Sequence, residues 1–342
     1  SLSLLMVDAD AGRARAVASA LGAARCGSAG MGTGPASLAA AIAGVDAAVG
    51  FLGSDPDLEV LAASGAIEAR VPYLSACEIA PAVEALLGLE EAAQEADSLV
   101  VPGFGWTPGV TNLLARLGAE ALDEVRSIRV AWTSSAIGEG TDATILRAVR
   151  SFSGSVPVFE DGGWHRKPGG SGDETVFFPE PLGWRKVHLC SGAEVLTLPR
   201  SIPGVESVVV MAGVSEAVAD RLARGLSGLF PLAPSRRRER LAAVTRPLLP
   251  AAGRLRGSGA KTWAAARVDV WGIKDDADAV RTFGVLDQPT NLAVAPLEAA
   301  AVMLATGEIK GTGVLPPEQC VDPAAFFPRL GALGVRAARL DR

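Results

Sequence analysis

Leu99-Val100-Val101-Pro102-Gly103-Phe104-Gly105-Trp106-Thr107-Pro108-Gly109 joins a short apolar run to a cluster of glycine and proline. Unbroken apolar residues suit a strand buried on both faces of a parallel sheet. The glycines and prolines fix a rigid loop, and Thr111-Asn112 open a helix after it. Toward the amino terminus the pattern recurs. Ala47-Ala48-Val49-Gly50-Phe51-Leu52 reads as a second buried strand, and Leu4-Leu5-Met6-Val7, ending in Asp8, as a third. Asp10 caps a helix whose Ala14, Val17, Ala18 and Leu21 share a face, and Gly22 stops it. Ser37 to Ala43 is a second short helix. Strands and helices alternating at this spacing imply βαβ crossovers and an α/β fold with a Rossmann-type parallel sheet.

Toward the carboxyl terminus the texture changes after Leu117. Val125 to Trp132 alternates, with Ile128, Val130 and Trp132 on one side. Glu194–Leu198, Val205–Met211, Ala266–Trp271 and Thr282–Leu286 also read as strands. Period-2 segments of this kind point to a second α/β domain with a mixed or antiparallel sheet. Val214, Val218, Leu222, Leu226 and Leu229 form a helical stripe, and residues 231–250 a helix flanked by loops. Pro296 to Ala305 is a last apolar helix, stopped by Gly307. The expected domains are 1–115, 116–286 and a return segment, 287–342, packing on the first domain.

Charge and composition exclude several classes. The 342 residues carry a net charge of −6, and no basic cluster is longer than Arg236-Arg237-Arg238-Glu239-Arg240. An acidic chain of this kind does not suit nucleic acid. No apolar stretch is long enough for a membrane span, and no signal peptide is visible, so a cytoplasmic protein is expected. Cys26, Cys77, Cys190 and Cys320 are scattered singly, and His165 and His188 are the two histidines. That supports neither a metal site nor a disulfide framework. Cys77 has no neighbouring base, and neither histidine has a carboxylate beside it in sequence, so none is a strong nucleophile or general base.

Four segments, in order, resemble the saccharopine dehydrogenase-like family, in its saccharopine reductase branch. They are Gly103 to Ala115, Gly138-Glu139-Gly140-Thr141-Asp142-Ala143-Thr144, Thr197-Leu198-Pro199-Arg200, and Gly311-Thr312-Gly313-Val314-Leu315-Pro316-Pro317-Glu318. The similarity spans nearly the whole chain. It implies a Rossmann-type domain, an inserted domain for substrate and homodimer contacts, and NAD(P)-linked chemistry at a carbon–nitrogen bond of a small amino acid or amine. An enoyl reductase of the same family, or a non-catalytic binding or assembly relative, is the alternative. Dimer contacts are expected through Trp132, Val208 and Val210.

The expected site follows from residues and resemblance together. Asp8 falls where an acidic side chain takes the adenosine ribose, which favours NAD over NADP. Gly50 and Gly53, at the end of a buried strand, and Gly103 let a cofactor approach the backbone. Thr107 and Asn112 are the candidate catalytic residues, orienting an amine or carbonyl. Trp106, Thr111 and Thr141 face the substrate, and Arg200 leads Arg147 and Arg185 as the carboxylate clamp. No Gly-x-Gly-x-x-Gly turn precedes Asp8. That half-site is therefore expected to be trimmed, supplied elsewhere or lost, and NAD(H) to bind this sequence weakly or not at all. Gly27-Ser28-Ala29-Gly30-Met31-Gly32-Thr33-Gly34 has the composition of a plain connection.

Overall fold

The computed structural model describes residues 3–22, 26–30, 32, 34–53, 55–135, 149, 151–215, 220, 221, 224, 225, 227 and 262–340. They form two compact units. The first comprises Ser1–Cys77, Pro81–Pro102 and Ala301–Pro316, and the second Glu78–Ala80, Gly103–Ala300 and Pro317–Arg342. The Gly103–Gly109 loop thus opens the second unit. Of the segment 287–342, only residues 301–316 belong to the first.

In the first unit β1 (Leu4–Asp8) and β2 (Cys26–Gly30) pair in parallel around α1 (Ala11–Leu21). Asp10 caps α1 as the sequence suggests, accepting from the N–H groups of Gly12 and Arg13. Two expectations fail here. Gly27 to Gly30 is a strand in register with β1, where a loop was expected. Leu4 and Leu5, expected inside, are 49% and 39% exposed, because β1 pairs only with β2 among the described residues. The chain continues through α2 (Pro35–Ile42), β3 (Ala48–Gly50), α3 (Pro56–Ala69), β4 (Tyr73–Ser75), α4 (Ala80–Leu87), α5 (Glu90–Glu95) and β5 (Leu99–Val101). Leu74, Val100 and Val101 are wholly buried, which suits strands covered on both faces.

The second unit runs from α6 (Val110–Glu120) through β6 (Glu124–Ser134), β7 (Ser155–Glu160), β8 (Gly163–Pro168), β9 (Glu174–Phe178) and β10 (Gly183–Leu189). Then come α7 (Glu194–Ser201), β11 (Ser207–Val214), β12 (Ala264–Lys274), β13 (Ala277–Asp287) and α8 (Pro289–Ala305). After β14 (Gly313–Val314) the chain ends with α9 (Pro317–Cys320), α10 (Pro323–Ala332) and β15 (Arg336–Arg339). β14 belongs to the first unit and completes a parallel sheet of order β14-β5-β4-β3. The second unit's nine-stranded sheet runs β15-β13-β12-β6-β11-β10-β9, with β7 beside β11 and β8 beside β7. β6 and β11 are parallel and the other pairs antiparallel, so this sheet is mixed.

Ile128, Val130 and Trp132 align with Val208, Val210 and Ala212 and with Val270, Val268 and Ala266. All are buried, so Trp132, Val208 and Val210 are core residues and not the dimer surface expected of them. On the other face Asp269 is buried between Arg129 and Arg267, each donating to it at 2.8 Å, and accepts from Thr282. Burial pulls the Asp269 carboxyl upward, but these donors outweigh it and hold the group below the ordinary carboxylate range.

Glu194–Leu198 is the first turns of α7 and not a strand. All five residues are buried, the polar Glu194 and Thr197 included, so no outer face is marked and neither the helical nor the strand period shows. Val214 ends β11 and is not on a helical stripe. Val218, Leu222, Leu226 and Leu229 and residues 231–250 lie outside the described residues. Among the described residues no helix is long and apolar enough to cross a membrane.

Candidate functional site

The loop from Gly103 to Gly109 delivers its polar side chains inward. Gly109 has φ 116°, and a Cβ there would lie 2.3 Å from the Gly105 carbonyl oxygen, so only glycine closes this turn onto α6. Gly103 also has positive φ, at 66°. Trp106 is buried edge-on to Trp132, with ring centroids 5.8 Å apart. Thr107 and Thr111 both donate to Oε1 of Glu194, each at 2.7 Å. All three are buried. Glu194 Oε2 has no hydrogen-bond partner among the described residues.

The next residue of α6, Asn112, ties three segments together. Its Oδ1 accepts from the Gly109 N–H at 2.9 Å. Its Nδ2 donates to Thr197 Oγ1 and to Glu318 Oε2, both at 2.9 Å. Ser201 donates to the other oxygen of Glu318 at 3.1 Å. Asn112, Thr197 and Glu318, one residue from each of three resembling segments, therefore meet in one buried network. Asn112 has both amide hydrogens engaged within the chain and acts as a tie. Burial raises the Glu318 carboxyl above its ordinary range, although Thr197, Ser201 and Asn112 pull the other way. Near it, at the carboxyl end of α6, Arg116, Glu120, Ser201 and Glu318 line a cavity of about 730 Å³.

Arg200 is exposed in the last turn of α7, its guanidinium 5.5 Å from the Trp164 ring centroid. Arg185 donates to the Trp184 carbonyl, and its Nε is buried without a partner. Thr141, Gly140 and Arg147 lie outside the described residues.

His188 has no carboxylate beside it in sequence but is paired with two in space. It is wholly buried, with Nδ1 2.9 Å from Asp173 and Nε2 3.1 Å from Asp220. Asp220 also accepts from the Val214 N–H, and Arg224 Nε lies 3.3 Å from it as an ion pair without hydrogen-bond alignment. Burial pulls the Asp220 carboxyl up, but the His188 and Val214 donors and the nearby charges hold it below its ordinary value. The carboxylates stand 15 and 32 residues from His188, beyond the reach of local sequence reading.

In the first unit Asp8 ends β1, and its side chain is 35% exposed. Its Oδ1 accepts from the Asp10 N–H at 2.8 Å, and Arg13 lies 3.9 Å from Oδ2. Gly50 is small for an internal reason, since a Cβ there would fall 1.9 Å from the Tyr73 hydroxyl. That hydroxyl and Ser75 donate to Oε2 of buried Glu59, at 3.2 and 2.7 Å. Glu59 Oε1 has no partner. Burial, opposed by the two hydroxyls and aided by Asp55, raises the Glu59 carboxyl. Burial and Glu59 together raise Tyr73 well above the ordinary phenol range. Gly53 has φ 68° and open space where a Cβ would be, and Phe51 beside it is 69% exposed.

These features bear on a dinucleotide in two ways. Asp8, the open backbone at Gly53 and the exposed Phe51 ring fit a ribose and a flat ring at the carboxyl ends of β1 and β3. A pyrophosphate fits poorly at α1 and α3, whose N-termini are closed by the carboxylates of Asp10 and Asp55. Among the described residues no cluster of His, Cys, Asp and Glu is able to hold a metal ion.

Glu194 and Glu318 both escape sequence reading, although Glu318 ends one resembling segment and Glu194 stands just ahead of another. A single acidic residue in an apolar run carries no signal of what it faces.

No protein-family model matches this chain, and no curated protein matches it. Solved structures do. Ligand-free, histidine-tagged saccharopine dehydrogenase (L-Glu forming) from Saccharomyces cerevisiae aligns over 99% of this chain and 94% of its own, with TM-score 0.65 and 15% identity. DAP dehydrogenase from C. glutamicum, in complex with DAP, covers 95% of each chain with TM-score 0.44 and 14% identity. GenD2 from gentamicin A biosynthesis, in complex with NAD, covers 100% of this chain and 89% of its own, with TM-score 0.37 and 14% identity. The first of these likenesses shows the fold: a Rossmann-like parallel sheet with a second, mixed sheet.

Proposed function

We propose that the protein is an NAD(P)-dependent oxidoreductase resembling saccharopine reductase, acting on a carbon–nitrogen bond of an amine or amino acid. The observation that carries this reading is the fold likeness, along nearly all of both chains, to a saccharopine dehydrogenase named as L-Glu forming. The ordered resembling segments support it, since three of them converge on Asn112. Fold likeness supports a general reaction class and carries no information on the substrate.

In this reading a carbonyl and an amine condense with loss of water to an imine. Its protonated form takes a hydride at carbon to give the amine. When bound, the reduced nicotinamide supplies that hydride and leaves oxidised. Such chemistry needs orientation and exclusion of water more than a strong side-chain base. Trp106, Thr107 and Thr111 form the substrate end, and Arg200, free of ion pairs among the described residues, takes a substrate carboxylate. Asn112 is a positioning residue for the loop. Asp8 takes the adenosine ribose, with Gly50, Gly53 and Gly103 along the cofactor's path. A homodimer through the second unit belongs to the reading, made by surfaces other than Trp132, Val208 and Val210. Light scattering that gives a monomer mass removes the dimer.

The test is nicotinamide absorbance with a panel of amino acids, amines and aldehydes, using NADH and NADPH in turn. Cofactor oxidation that depends on both an amine and a carbonyl supports the reading. Cofactor bound without turnover on any pair overturns it. The second reading, a non-catalytic relative, is favoured by the closure of the α1 and α3 N-termini, and calorimetry showing no NAD(H) binding would strengthen it.

A further inference from the structure

Glu194 is a buried carboxylate with half of its hydrogen-bonding capacity missing. Oε1 accepts two bonds of 2.7 Å from Thr107 and Thr111, which orient the group, while Oε2 has no donor among the described residues. No basic side chain among the described residues lies within 4 Å of it. Its place in the first turn of α7 favours a negative side chain, through the free N–H groups and dipole of the helix end. A buried acceptor without a donor, and a buried negative charge without a cation, are each costly. An ammonium or iminium N–H provides a donor and a positive charge together.

We infer that Glu194 seats the protonated nitrogen of the substrate, with Thr107 and Thr111 as the residues that orient it. The inference rests on the amine reading of this site and names the group that reading lacks. It assigns the ligand a positive charge at the nitrogen bound by Oε2 and makes Glu194 a specificity residue for amines over alcohols of the same shape. The alternative occupant, an internal water, supplies a donor without a charge, and so gives Glu194 no preference between the two.

The probes are n-butylammonium and n-butanol, titrated calorimetrically into the full 342-residue chain. Wild type is expected to bind the ammonium more tightly than the alcohol. Glu194→Gln keeps the shape and can still accept from both threonines, but carries no charge and offers an N–H where Oε2 stood. It is expected to weaken ammonium binding by about ten- to a hundredfold, the effect of losing a hydrogen bond to a charged group, and to leave the alcohol unchanged. Equal binding of both probes by wild type, no ammonium binding by wild type, or ammonium binding unchanged in Glu194→Gln overturns the inference. Should Glu194→Gln not fold, Glu194→Asp serves instead. It retains the charge but withdraws it by one methylene, and the same loss is expected. These titrations need no nicotinamide. An absence of turnover therefore counts against the oxidoreductase reading alone, whereas turnover with wild-type kinetics in Glu194→Gln counts against the inference alone.

Discussion

Glu59 in the first unit and Glu194 in the second are built alike. Each is buried, each accepts from two hydroxyls on one oxygen, and each leaves the other oxygen without a partner. Their surroundings separate them. Glu59 lies four residues beyond Asp55, whose charge adds to burial in favouring the neutral acid. In its neutral form the carboxyl gains a donor of its own and buries no charge. Glu194 instead sits in the first turn of a helix, beside its free N–H groups. Glu318 marks the opposite limit, with both oxygens held by the chain itself. The same residue type thus serves as a buried acceptor beside another acid, a half-open acceptor or a tie, according to the donors and charges that tertiary contact supplies.

The largest expected effect lies at the tie. Asn112→Ala removes three hydrogen bonds and leaves Glu318 and the Gly109 N–H short of partners inside the core. It should cost about 3 kcal/mol or more of folding stability, read by chemical denaturation. A cost near zero would show that the network does not hold the three segments together.

Next comes crowding at Gly50. Gly50→Ala sets a methyl against the Tyr73 hydroxyl and should cost on the order of 1–3 kcal/mol. Tyr73→Phe in the same chain should recover part of that, because it removes the atom in the way. A double-mutant cycle that shows no coupling would mean the phenol does not occupy that space in solution.

The contrast between Glu59 and two aspartates of the second unit, Asp220 and Asp269, sharpens with pH. The folded Glu59 carboxyl titrates above its ordinary value of 4.5. Its contribution is therefore complete below about that pH and is lost as pH rises through the folded value. Asp220 and Asp269 are shifted down from 3.8 and behave oppositely, contributing above that value and losing it as pH falls through their folded values. Glu59→Gln should gain stability relative to wild type as pH rises from about 4.5. A difference between the two proteins that is independent of pH would break the contrast.

The smallest effect is expected at Glu194. Glu194→Gln should change stability by less than about 1 kcal/mol, because the threonine bonds survive and an unpaired acceptor is removed. A loss as large as that of Asn112→Ala would mean Glu194 is a structural tie like Glu318.

Much of the first unit was legible from local pattern. Apolar runs at 47–52 and 99–101, the Asp10 cap and the alternation of strand with helix each depend on residues close in sequence. The period-2 strands β6, β11, β12 and β13 were legible for the same reason. The candidate site was legible only as a segment. Gly103–Asn112 stands out by its glycines and prolines, but nothing in it says that Thr107 and Thr111 turn toward residue 194 or Asn112 toward residue 318.

By itself, then, the sequence determined the α/β class, the parallel sheet of the first unit and the rigid loop that opens the second, because backbone preference and apolar period act over a few neighbouring residues. Tertiary structure decided the rest. Packing made Glu194–Leu198 a helix, since five residues buried on every side show neither period and only their tertiary neighbours choose. Packing also turned Trp132, Val208 and Val210 inward and gave His188 its two carboxylates. A hydrogen bond between residues 83, 87 or 206 positions apart exists only once the chain has closed on itself, so its partners cannot be read one residue at a time.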